Sequence, residues 1–552
     1  MIKTITKILA FILMMIMMAS TVSCVIDNTT TTDPNSTSST TNNGTTPGPD
    51  YVPVLDPTDD NYRVFYQVFV YTFSDGNNDG IGDLQGVINR MDYLNDGDMN
   101  TTDDLGVQGI WLSPIFSSPT YHKYDAKDYY SVDWRYGNED KLKELIEICH
   151  ERNVKIILDL AINHTSDQHP WFLEFKKARM EGDTSNKYYD FYTCVKTADR
   201  VNGRTYQRVP GIDGWYECNF SGSMPELNYD NMDVREAMLD VARYYLNMGV
   251  DGFRFDAIKY IYYGDTQRSA AFWNWYMGVL REEYPDMYAV GECWSGDSEV
   301  LQYYGGLNCF NFSMSTAEGQ VAMAAKGNSS ISNYTNYVVS YLNSIKGKNP
   351  DSMMIPFLSN HDQDRIAGAF ITDNNMKMAA NLYLLCSGSP VIYNGEEIGL
   401  RGKRGTELTD ANRRLAMIWG DGDMVLNPPG ACYPEGNQIK TSVASQLEDP
   451  NSIRTHYAKV ISIRNKYPAI ARGTYSALTY NKNLGGFLVS YQGEKLAIIH
   501  NTSSSAITVN LSSLSGLNGY QLKQLCDYVG VGNATLNGTT LTIGAYTSVI
   551  LK

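Results

Sequence analysis

Eight short apolar runs recur along the chain, and segments with a helical spacing of apolar residues separate them. The runs cover residues 64–70, 109–112, 154–160, 250–256, 287–292, 308–312, 353–359 and 390–393. Apolar runs of this length that alternate with helices are typical of parallel strands buried on both faces. Eight such units predict an α/β fold, a (β/α)8 TIM barrel.

Two regions depart from this alternation. The interval between the third and fourth runs is far longer than a loop and one helix require, and its middle is rich in Gly, Tyr and polar residues. We therefore expect an inserted domain over residues 164–230, after the third strand. The last part of the chain changes to short alternating strands with turns, which predicts a C-terminal antiparallel β-sandwich over 471–552. The barrel then takes residues 51–163 and 231–470.

The amino-terminal segment has the pattern of an export signal. Two lysines precede an apolar run over residues 8–18, which is too short to span a bilayer, and small polar residues lead to Cys24. Residues 1–24 resemble a bacterial lipoprotein signal peptide acylated at Cys24, with plain secretory cleavage as the alternative. Residues 25–50, rich in Thr, Ser and Asn, predict a flexible linker. We expect an exported protein, either a cell-surface lipoprotein whose only membrane contact is the lipid on Cys24 or a secreted one.

Composition narrows the classes of partner. The 552 residues are 43% hydrophobic and 19% charged, with a formal net charge of −16. This is enough apolar material for packed cores, and the acidic balance lacks the basic stripe that phosphate binding requires. We expect no nucleic-acid partner, and no feature indicates an obligate protein partner. The 40 tyrosines suit the apolar faces of sugars, although packing and interfaces use them equally.

Eight cysteines follow Cys24, and none forms the C-x-x-C pair of zinc or redox sites. We expect most of them to be buried and inert. Cys194 and Cys218 lie in one short irregular region, so they are the best candidates for a disulfide if the compartment is oxidising.

Polar residues cluster where four of the predicted strands end, which is the catalytic face of a barrel of this kind. The residues are Asp159 at the end of the third run with Asn163 and His164 after it, Arg254 and Asp256 in the fourth, Glu292 at the end of the fifth, and His361 and Asp362 after the seventh. Period-two alternation places Arg254 and Asp256 on one face, where the guanidinium would keep the carboxylate ionised. A lone carboxylate of this kind more often forms an ion pair or a helix cap, but three at separate strand ends favour catalysis.

These segments resemble the conserved regions of the α-amylase family, glycoside hydrolase family 13, and the resemblance extends over nearly all of the chain after Tyr62. Further matches are residues 109–115, 121–125 and 392–397. The resemblance implies Asp256 as nucleophile, Glu292 as general acid/base and Asp362 as transition-state stabiliser. It also implies substrate contacts by Tyr124, Asp125, His164, Arg254, Lys259 and His361.

The implied chemistry requires two carboxyl groups in opposite states. A retaining glycosidase needs an ionised carboxylate to attack the anomeric carbon and a protonated carboxyl, about 5 Å away, to protonate the leaving oxygen. We expect Arg254 to keep Asp256 charged. Glu292, which faces carboxylates and the apolar Trp294, is expected to have a raised pKa.

A loop after the first run carries oxygen-bearing side chains at alternate positions, with glycines at the bends. Such a pattern can wrap around a hard cation, although position twelve is Gly86 and excludes an EF-hand. It resembles the calcium loop of many family members, which implies Ca2+ bound by Asp75, Asn77, Asp79, the Ile81 carbonyl and Asp83. The alternative is a Gly/Asn/Asp turn without an ion.

Within the family, the sequence gives mixed indications of which bonds the protein cleaves and at which position of the glucan chain. Residues 224–228 resemble the group intermediate between oligo-1,6-glucosidases and neopullulanases, while Ala257 and Lys259 favour α-1,4 cleavage. Asp125 and residues 363–365 resemble positions that exo-acting α-glucosidases use. We expect an α-amylase that hydrolyses internal α-1,4 bonds of starch or maltooligosaccharides. The alternatives are an exo-acting α-glucosidase or neopullulanase-like enzyme, and a non-catalytic glucan-binding homologue.

Overall fold

The computed structural model describes residues 60–98, 101–405 and 410–552. The predicted signal peptide, the linker and the lipid anchor at Cys24 lie outside these residues, so they stay predictions. In the described part of the chain, no helix has the length and apolar character needed to cross a membrane.

Short strands occur along the whole described chain and form five sheets. In chain order they are β1 (Phe65–Val68), β2 (Gly109–Leu112), β3 (Phe116–Ser117), β4 (Asp128–Val132), β5 (Lys155–Leu160), β6 (Cys194–Val195), β7 (Tyr206–Arg208), β8 (Trp215–Glu217), β9 (Gly252–Phe255), β10 (Tyr288–Gly291), β11 (Asn308–Cys309), β12 (Val391–Tyr393), β13 (Thr474–Thr479), β14 (Leu484–Tyr491), β15 (Glu494–Asn501), β16 (Ile507–Asn510), β17 (Leu525–Gly530), β18 (Ala534–Asn537), β19 (Thr540–Ile543) and β20 (Thr547–Leu551).

Seven of these strands run parallel in one curled sheet, in the order β11-β10-β9-β5-β2-β1-β12. The seventh apolar run, residues 353–359, forms no continuous ladder. It makes two isolated parallel bridges, Ile355 to Phe310 after β11 and Phe357 to Val391 in β12. Because these bridges join the two edges of the sheet, they close the ring, and the predicted barrel is confirmed. Pro356 stands between the two bridging residues and has no amide hydrogen to donate to a ladder.

Helices cover the outside of this sheet and follow it towards the carboxyl terminus. They are α1 (Leu84–Asn89), α2 (Met91–Leu94), α3 (Glu139–Glu151), α4 (Pro170–Glu181), α5 (Met232–Met248), α6 (Thr266–Glu283), α7 (Asp297–Val300), α8 (Gln320–Ala325), α9 (Ile331–Lys348), α10 (Asp373–Leu384), α11 (Val443–Leu447), α12 (Ile453–Lys466) and α13 (Pro468–Arg472). In α5 the buried residues include Val234, Met238, Val241 and Tyr245, one stripe at helical spacing. Gly249, at φ 109°, ends this helix in the left-handed region.

The lower part of the barrel interior is filled by apolar side chains, so it is a packed core and not a channel. The buried residues of this inner cluster are Phe65, Trp111, Ile157, Tyr288, Val290, Phe310, Met353, Ile355, Phe357 and Val391. The polar side chains that line the cleft lie at the carboxyl end of the strands, where the barrel opens.

Between β5 and α5 the chain leaves the barrel and returns to the same place. This excursion contains α4 and a three-stranded antiparallel sheet in the order β6-β8-β7. Its two ends meet at the barrel rim, where the backbone of His164 bridges Glu226 and the Leu227 amide donates to the Asn163 carbonyl at 3.0 Å. The arrangement is that of an insertion, and the boundary at residues 164–230 stays a prediction.

The C-terminal strands form two antiparallel sheets, as predicted. One has the order β13-β14-β15-β20-β17 and the other the order β16-β19-β18. Leucine, isoleucine and valine side chains from both sheets share one buried cluster between them, as in a β-sandwich. Asn381 of α10 connects this unit to the barrel, since its Nδ2 donates to the Val529 carbonyl and to the Ser548 hydroxyl, both at 3.0 Å.

The eight described cysteines are all free thiols. Cys194 lies opposite Tyr216 in the β6–β8 pair. Cys218 lies two residues after Tyr216, just beyond the end of β8. Both thiols are free in the structure, so the disulfide expected between Cys194 and Cys218 is wrong.

Two adjacent glutamates after β12 are buried at the back of the barrel. Glu396 accepts hydrogen bonds from the hydroxyls of Tyr383 at 2.7 Å and Tyr457 at 3.0 Å. Burial raises the pKa of Glu396 to about 8, and it also raises the pKa of Glu397. Glu396 therefore keeps its proton in the folded protein at pH values where it is ionised in the unfolded chain.

We expect the Glu396→Gln variant to resist alkaline pH better than the wild type. Because the pKa of Glu396 is higher in the folded state, its contribution to stability is complete below about pH 4.5 and is lost as the pH rises through about 8. The glutamine keeps a neutral acceptor for both tyrosines. Melting temperatures measured from pH 5 to 9 should fall more steeply for the wild type; parallel curves would contradict the prediction.

Candidate active site

Three carboxyl groups lie at the carboxyl ends of barrel strands, and two of them contact the guanidinium of one buried arginine. Asp256 follows β9, Glu292 follows β10, and Asp362 follows the segment that closes the ring. The Arg254 guanidinium is fully buried. Its Nη1 lies 2.7 Å from Asp256 Oδ1 and 2.7 Å from Asp159 Oδ1, and its Nη2 lies 3.0 Å from Glu292 Oε1. One cation thus holds three carboxyl groups from three neighbouring strands.

The surroundings of Glu292 and Asp362 shift their pKa values in opposite directions. Burial raises the pKa of Glu292 to about 8, and repulsion from Asp256 and Asp362 adds to this effect, while Arg254 opposes it. Burial also opposes ionisation of Asp362, but His361 and Arg414 hold its pKa well below the usual range. Near neutral pH, Glu292 carries a proton and Asp362 is ionised. Acid/base catalysis uses two such carboxyl groups, one protonated and one ionised, in the same site.

Asp159 stands directly opposite Arg254 in the β5–β9 register. It is fully buried, and burial raises its pKa to about 6 although Arg254 opposes the shift. Its Oδ2 accepts hydrogen bonds from Trp111 Nε1 at 3.2 Å and from the Tyr124 hydroxyl at 2.8 Å. The sequence placed Asp159 at a strand end but assigned it no role. Only the pairing of the two strands reveals that it shares the arginine.

A chain of hydrogen bonds leads from Asp159 to the first strand. The Tyr124 hydroxyl lies 2.6 Å from His361 Nε2, and Gln67 Nε2 lies 2.6 Å from His361 Nδ1. Because Tyr124 donates to Asp159, the partners assign a proton to His361 Nε2 and leave Nδ1 as the acceptor. The rings of Tyr124 and His361 are nearly parallel, at 9° and 5.4 Å between centroids. Gln67 carried no motif signal, and the sequence analysis missed it.

His164 and Asp125 differ in their surroundings and in their hydrogen-bond partners. His164 lines the cleft, its Nε2 has no hydrogen-bond partner within the described residues, and burial lowers its pKa. Asp125 is buried behind the wall, where its Oδ1 accepts from the hydroxyls of Ser118 at 2.8 Å and of Thr120. The structure therefore brings His164 to the site, and Asp125 lies close behind it, where its Oδ2 has no hydrogen-bond partner among the described residues and its charge interacts with His164.

The three carboxyl groups Asp256, Glu292 and Asp362 open into a cleft of about 860 Å³. This volume is near the upper end of the range for small-molecule sites, about 300–1,000 Å³. The remaining lining residues are Thr120, His122, Tyr124, His164, Phe220, Ser221, Ser223, Met224, Ala257, Lys259, Tyr260, Trp294, Arg404, Asp410, Arg413 and Arg414.

Two neighbouring arginines from a distant segment hold Asp362 in place. Arg414 Nη2 lies 2.5 Å from Asp362 Oδ1, and its Nε donates to the His361 carbonyl at 3.1 Å. Arg413 Nη1 donates to the Asp362 carbonyl at 2.6 Å, and its Nε donates to Asp364 Oδ1 at 2.8 Å. The sequence analysis missed both arginines, since two basic residues in a loop carry no signal before the fold brings them to the rim.

In the loop predicted to bind calcium, backbone amides donate hydrogen bonds to the loop's own side-chain oxygens. Both carboxylate oxygens of Asp75 accept loop amides, and Asn77 Oδ1 accepts the Asp79 amide at 2.9 Å. Asp79 Oδ1 accepts the Ile81 amide at 2.8 Å, and Asp83 caps α1. These oxygen donors suit a hard cation in their chemistry. Within the described ranges, however, no three His, Cys, Asp or Glu side chains converge as metal ligands.

Comparison with known proteins places the chain among carbohydrate-active enzymes. The family described as alpha amylase, catalytic domain, matches residues 67–473, which include Asp256, Glu292 and Asp362. The chain is 32% identical over 495 residues to alpha-amylase 3 of Dictyoglomus thermophilum, covering 89% of this chain and 93% of that protein. It is 31% identical over 451 residues to the 4-alpha-glucanotransferase of Thermotoga neapolitana, covering 80% and 95%. The solved structure of Eubacterium rectale Amy13B matches with a TM-score of 0.81 at 35% identity, covering 89% and 96%.

Proposed function

The chain belongs to the α-amylase family of glycoside hydrolases, and from this premise we propose that it hydrolyses internal α-1,4 bonds of starch-like glucans with retention of the α configuration. The observation that carries the proposal is the shared Arg254, which holds Asp256 and Glu292 on its two terminal nitrogens. Contact with one guanidinium brings the two carboxyl groups to the same point of the cleft, and a retaining enzyme uses two carboxyl groups about 5 Å apart.

In the first step Asp256 attacks the anomeric carbon of the bound sugar. The bond from that carbon to the glycosidic oxygen breaks, and Glu292 gives its proton to the departing oxygen. Positive charge develops on the sugar ring in the transition state. The ionised Asp362, fixed by Arg414 at 2.5 Å, lies where it can stabilise that charge.

In the second step water resolves the ester between the sugar and Asp256. Glu292, now ionised, takes a proton from the water as its oxygen attacks the anomeric carbon, and the bond to Asp256 breaks. Two inversions at one carbon give net retention. His164, whose Nε2 has no hydrogen-bond partner among the described residues, would bind a sugar hydroxyl, and the Tyr124–His361 pair would bind the sugar face during both steps.

Two features support cleavage inside a chain over removal of terminal units. Ala257 and Lys259, which resemble residues of α-1,4-acting enzymes, line the cleft beside Asp256. The predicted export also suits an enzyme that acts on a polymer, because a cell cannot import the polymer intact. Asp125, whose position resembles an exo-type contact, keeps one carboxylate oxygen without a partner among the described residues and interacts with His164, which is the observation that favours the exo-acting alternative.

Digestion of amylose tests the position of cleavage. We expect iodine staining to fall faster than reducing ends accumulate, with mixed maltooligosaccharides at early times, because an open cleft admits chain on both sides of the cut. Acetylation of the non-reducing end of the substrate should leave the initial rate unchanged. Glucose as the sole early product, together with a block by this modification, would instead assign an exo-acting α-glucosidase.

We also propose that calcium binds the loop from Asp75 to Asp83, and no step above passes through it. Ion binding to the folded chain alone stabilises it by mass action, about 2.7 kcal/mol when free calcium exceeds Kd a hundredfold. We expect chelation to lower the melting temperature of the wild type and calcium to restore it.

Asp79→Asn is the sharpest variant for the calcium test. The side chain is exposed, and an asparagine oxygen can still accept the Ile81 amide, so the loop keeps its turn while it loses a charge. Its melting temperature without calcium should match the wild type, and its calcium response should be lost. A wild type without bound metal and without a response to chelation would reject the site.

A further inference from the structure

A separate cavity of about 280 Å³ lies at the amino-terminal end of the barrel strands. Its walls come from the starts of β10 and β11, from the end of α6 and from residues 351–353 at the start of the segment that closes the ring. The active-site cleft lies at the other ends of these strands, and the two share no lining residue in the described part of the chain. The volume is just below the usual range for small-molecule sites, about 300–1,000 Å³. We name this space the base cavity.

One partly buried arginine lines the base cavity. Arg281, near the end of α6, donates from Nη1 to the Gly306 carbonyl at 2.8 Å. Within the described residues its guanidinium has no other hydrogen bond and no ion pair with an acidic side chain. A guanidinium carries five N–H donors, so most of them are left for a ligand or for water. Burial lowers the pKa of Arg281, and no neighbouring charge offsets this effect.

Two asparagines add further donors to the base cavity. Asn308 Oδ1 accepts the Met353 amide at 2.9 Å, and Asn349 Oδ1 accepts the Asp351 amide at 3.0 Å. Because backbone amides already occupy both side-chain oxygens, the two Nδ2 groups are what the asparagines can offer to a ligand. The base cavity therefore presents a cation and amide donors together, a set that suits a ligand with only acceptor atoms.

The acidic residue of the base cavity does not neutralise Arg281. Asp351 lines the cavity, but its side chain is exposed and its charge acts on Lys346 and not on Arg281. On the neighbouring helix α5, by contrast, Arg243 contacts three carboxylates. A partly buried cation without a counter-charge is costly unless a bound anion or water satisfies its donors.

We propose that the base cavity binds a small oxyanion, either a phosphate group or a carboxylate, on Arg281. The planar guanidinium can donate to two oxygens of such a group side by side, and the asparagine amides can donate to the others. The inference goes beyond the proposed function and does not depend on it, because Asp256, Glu292 and Asp362 line the other site.

An oxyanion in the base cavity would join three segments that are distant in sequence. Arg281 belongs to α6, Asn308 begins β11, and Asn349 follows α9. Because the folded chain alone brings these donors together, binding stabilises the fold by mass action. The melting temperature should therefore rise with the concentration of the oxyanion and level off slowly, as for any ligand of the folded state.

The test is calorimetric titration of the full wild-type chain with inorganic phosphate and, separately, with succinate. Sodium chloride at equal ionic strength is the control for general salt effects. We expect one oxyanion per chain and a matching rise in melting temperature. Binding of phosphate alone assigns a phosphate site, and binding of succinate assigns a carboxylate site.

Variants of Arg281 identify the site of binding. Arg281→Gln keeps a donor for the Gly306 carbonyl but loses the charge, and it should bind the oxyanion about ten- to hundredfold more weakly. Arg281→Lys keeps the charge without the planar fork and should bind with intermediate affinity. Arg268→Gln removes the same charge from an exposed ion pair on the same helix, and it should bind as the wild type does.

A variant in the cleft separates the two places where an oxyanion could bind. Arg404 lines the cleft, so Arg404→Gln should leave the affinity for the oxyanion unchanged. Loss of binding in Arg404→Gln, equal affinity in the wild type and Arg281→Gln, or no binding of either probe beyond the chloride control would overturn the site. If Arg281→Gln does not fold, Arg281→Lys decides by the same comparison. The titrations contain no glucan, so failure of the proposed function would leave their result unaffected.

Discussion

Replacement of Asp256 by asparagine is expected to lower kcat on amylose by about 10⁴-fold or more while leaving the fold unchanged. The amide has nearly the same shape as the carboxylate but cannot form the ester with the anomeric carbon. Arg254 keeps its contacts with Asp159 and Glu292, so the buried cation stays paired. Initial rates and melting temperature measured on the same preparation separate lost chemistry from lost structure.

Asp251→Asn is a matched control for this variant. Asp251 precedes the same strand, β9, but at its amino end, where its Oδ2 accepts the Ile156 amide at 2.8 Å. It should change stability more than kcat. A smaller nucleophile variant, Asp256→Ala, should form the β-configured glycosyl azide when azide is added, because azide then replaces the carboxylate in a single inversion. An Asp256→Asn enzyme with more than about a tenth of the wild-type rate would refute the assignment.

The Glu292→Gln variant should lose activity selectively, according to the leaving group. On amylose we expect a loss of about 10³-fold or more, since the departing sugar oxygen needs a proton. On α-glucosyl fluoride the first step should be nearly unimpaired, because fluoride departs without one. Accumulation of the ester on Asp256, seen as a burst of fluoride, would mark the slow second step.

The pH profile gives a second readout for Glu292. The proton that Glu292 donates is present below its pKa, about 8, so wild-type hydrolysis of amylose should fall as the pH rises through that value. The alkaline limb should disappear for Glu292→Gln acting on the fluoride. If the burst of fluoride were slowed as much as the reaction on amylose, or kept the alkaline limb, Glu292 would not be the acid.

Local periodicity was sufficient to predict the barrel, because strands buried on both faces leave uninterrupted apolar runs. It overstated the run at 353–359, since a count of apolar residues such as Met, Ile, Phe and Leu does not register that Pro356 lacks an amide hydrogen. The error is one of hydrogen bonding and not of position. The run lies where a seventh strand belongs and carries Asp362 after its end.

The sequence could predict only those residues of the candidate site that lie in short motifs. Asp256, Glu292 and Asp362 stand at strand ends, where the sequence itself marks them. Asp159 acquires its partner only through the β5–β9 register, and Arg414 reaches Asp362 across 52 residues of chain. Contacts made by such distant segments depend on the assembled fold and leave no local pattern.

The two isolated bridges at Ile355 and Phe357 mean that the three carboxyl groups have different kinds of support. Asp256 and Glu292 follow β9 and β10, which share a continuous ladder, so the pairing of neighbouring strands sets the spacing of the two. Asp362 follows the bridging segment, which forms no continuous ladder. Its position is set instead by Arg413 and Arg414 from another segment. A substitution in that segment can therefore displace Asp362 while Asp256 and Glu292 keep their spacing.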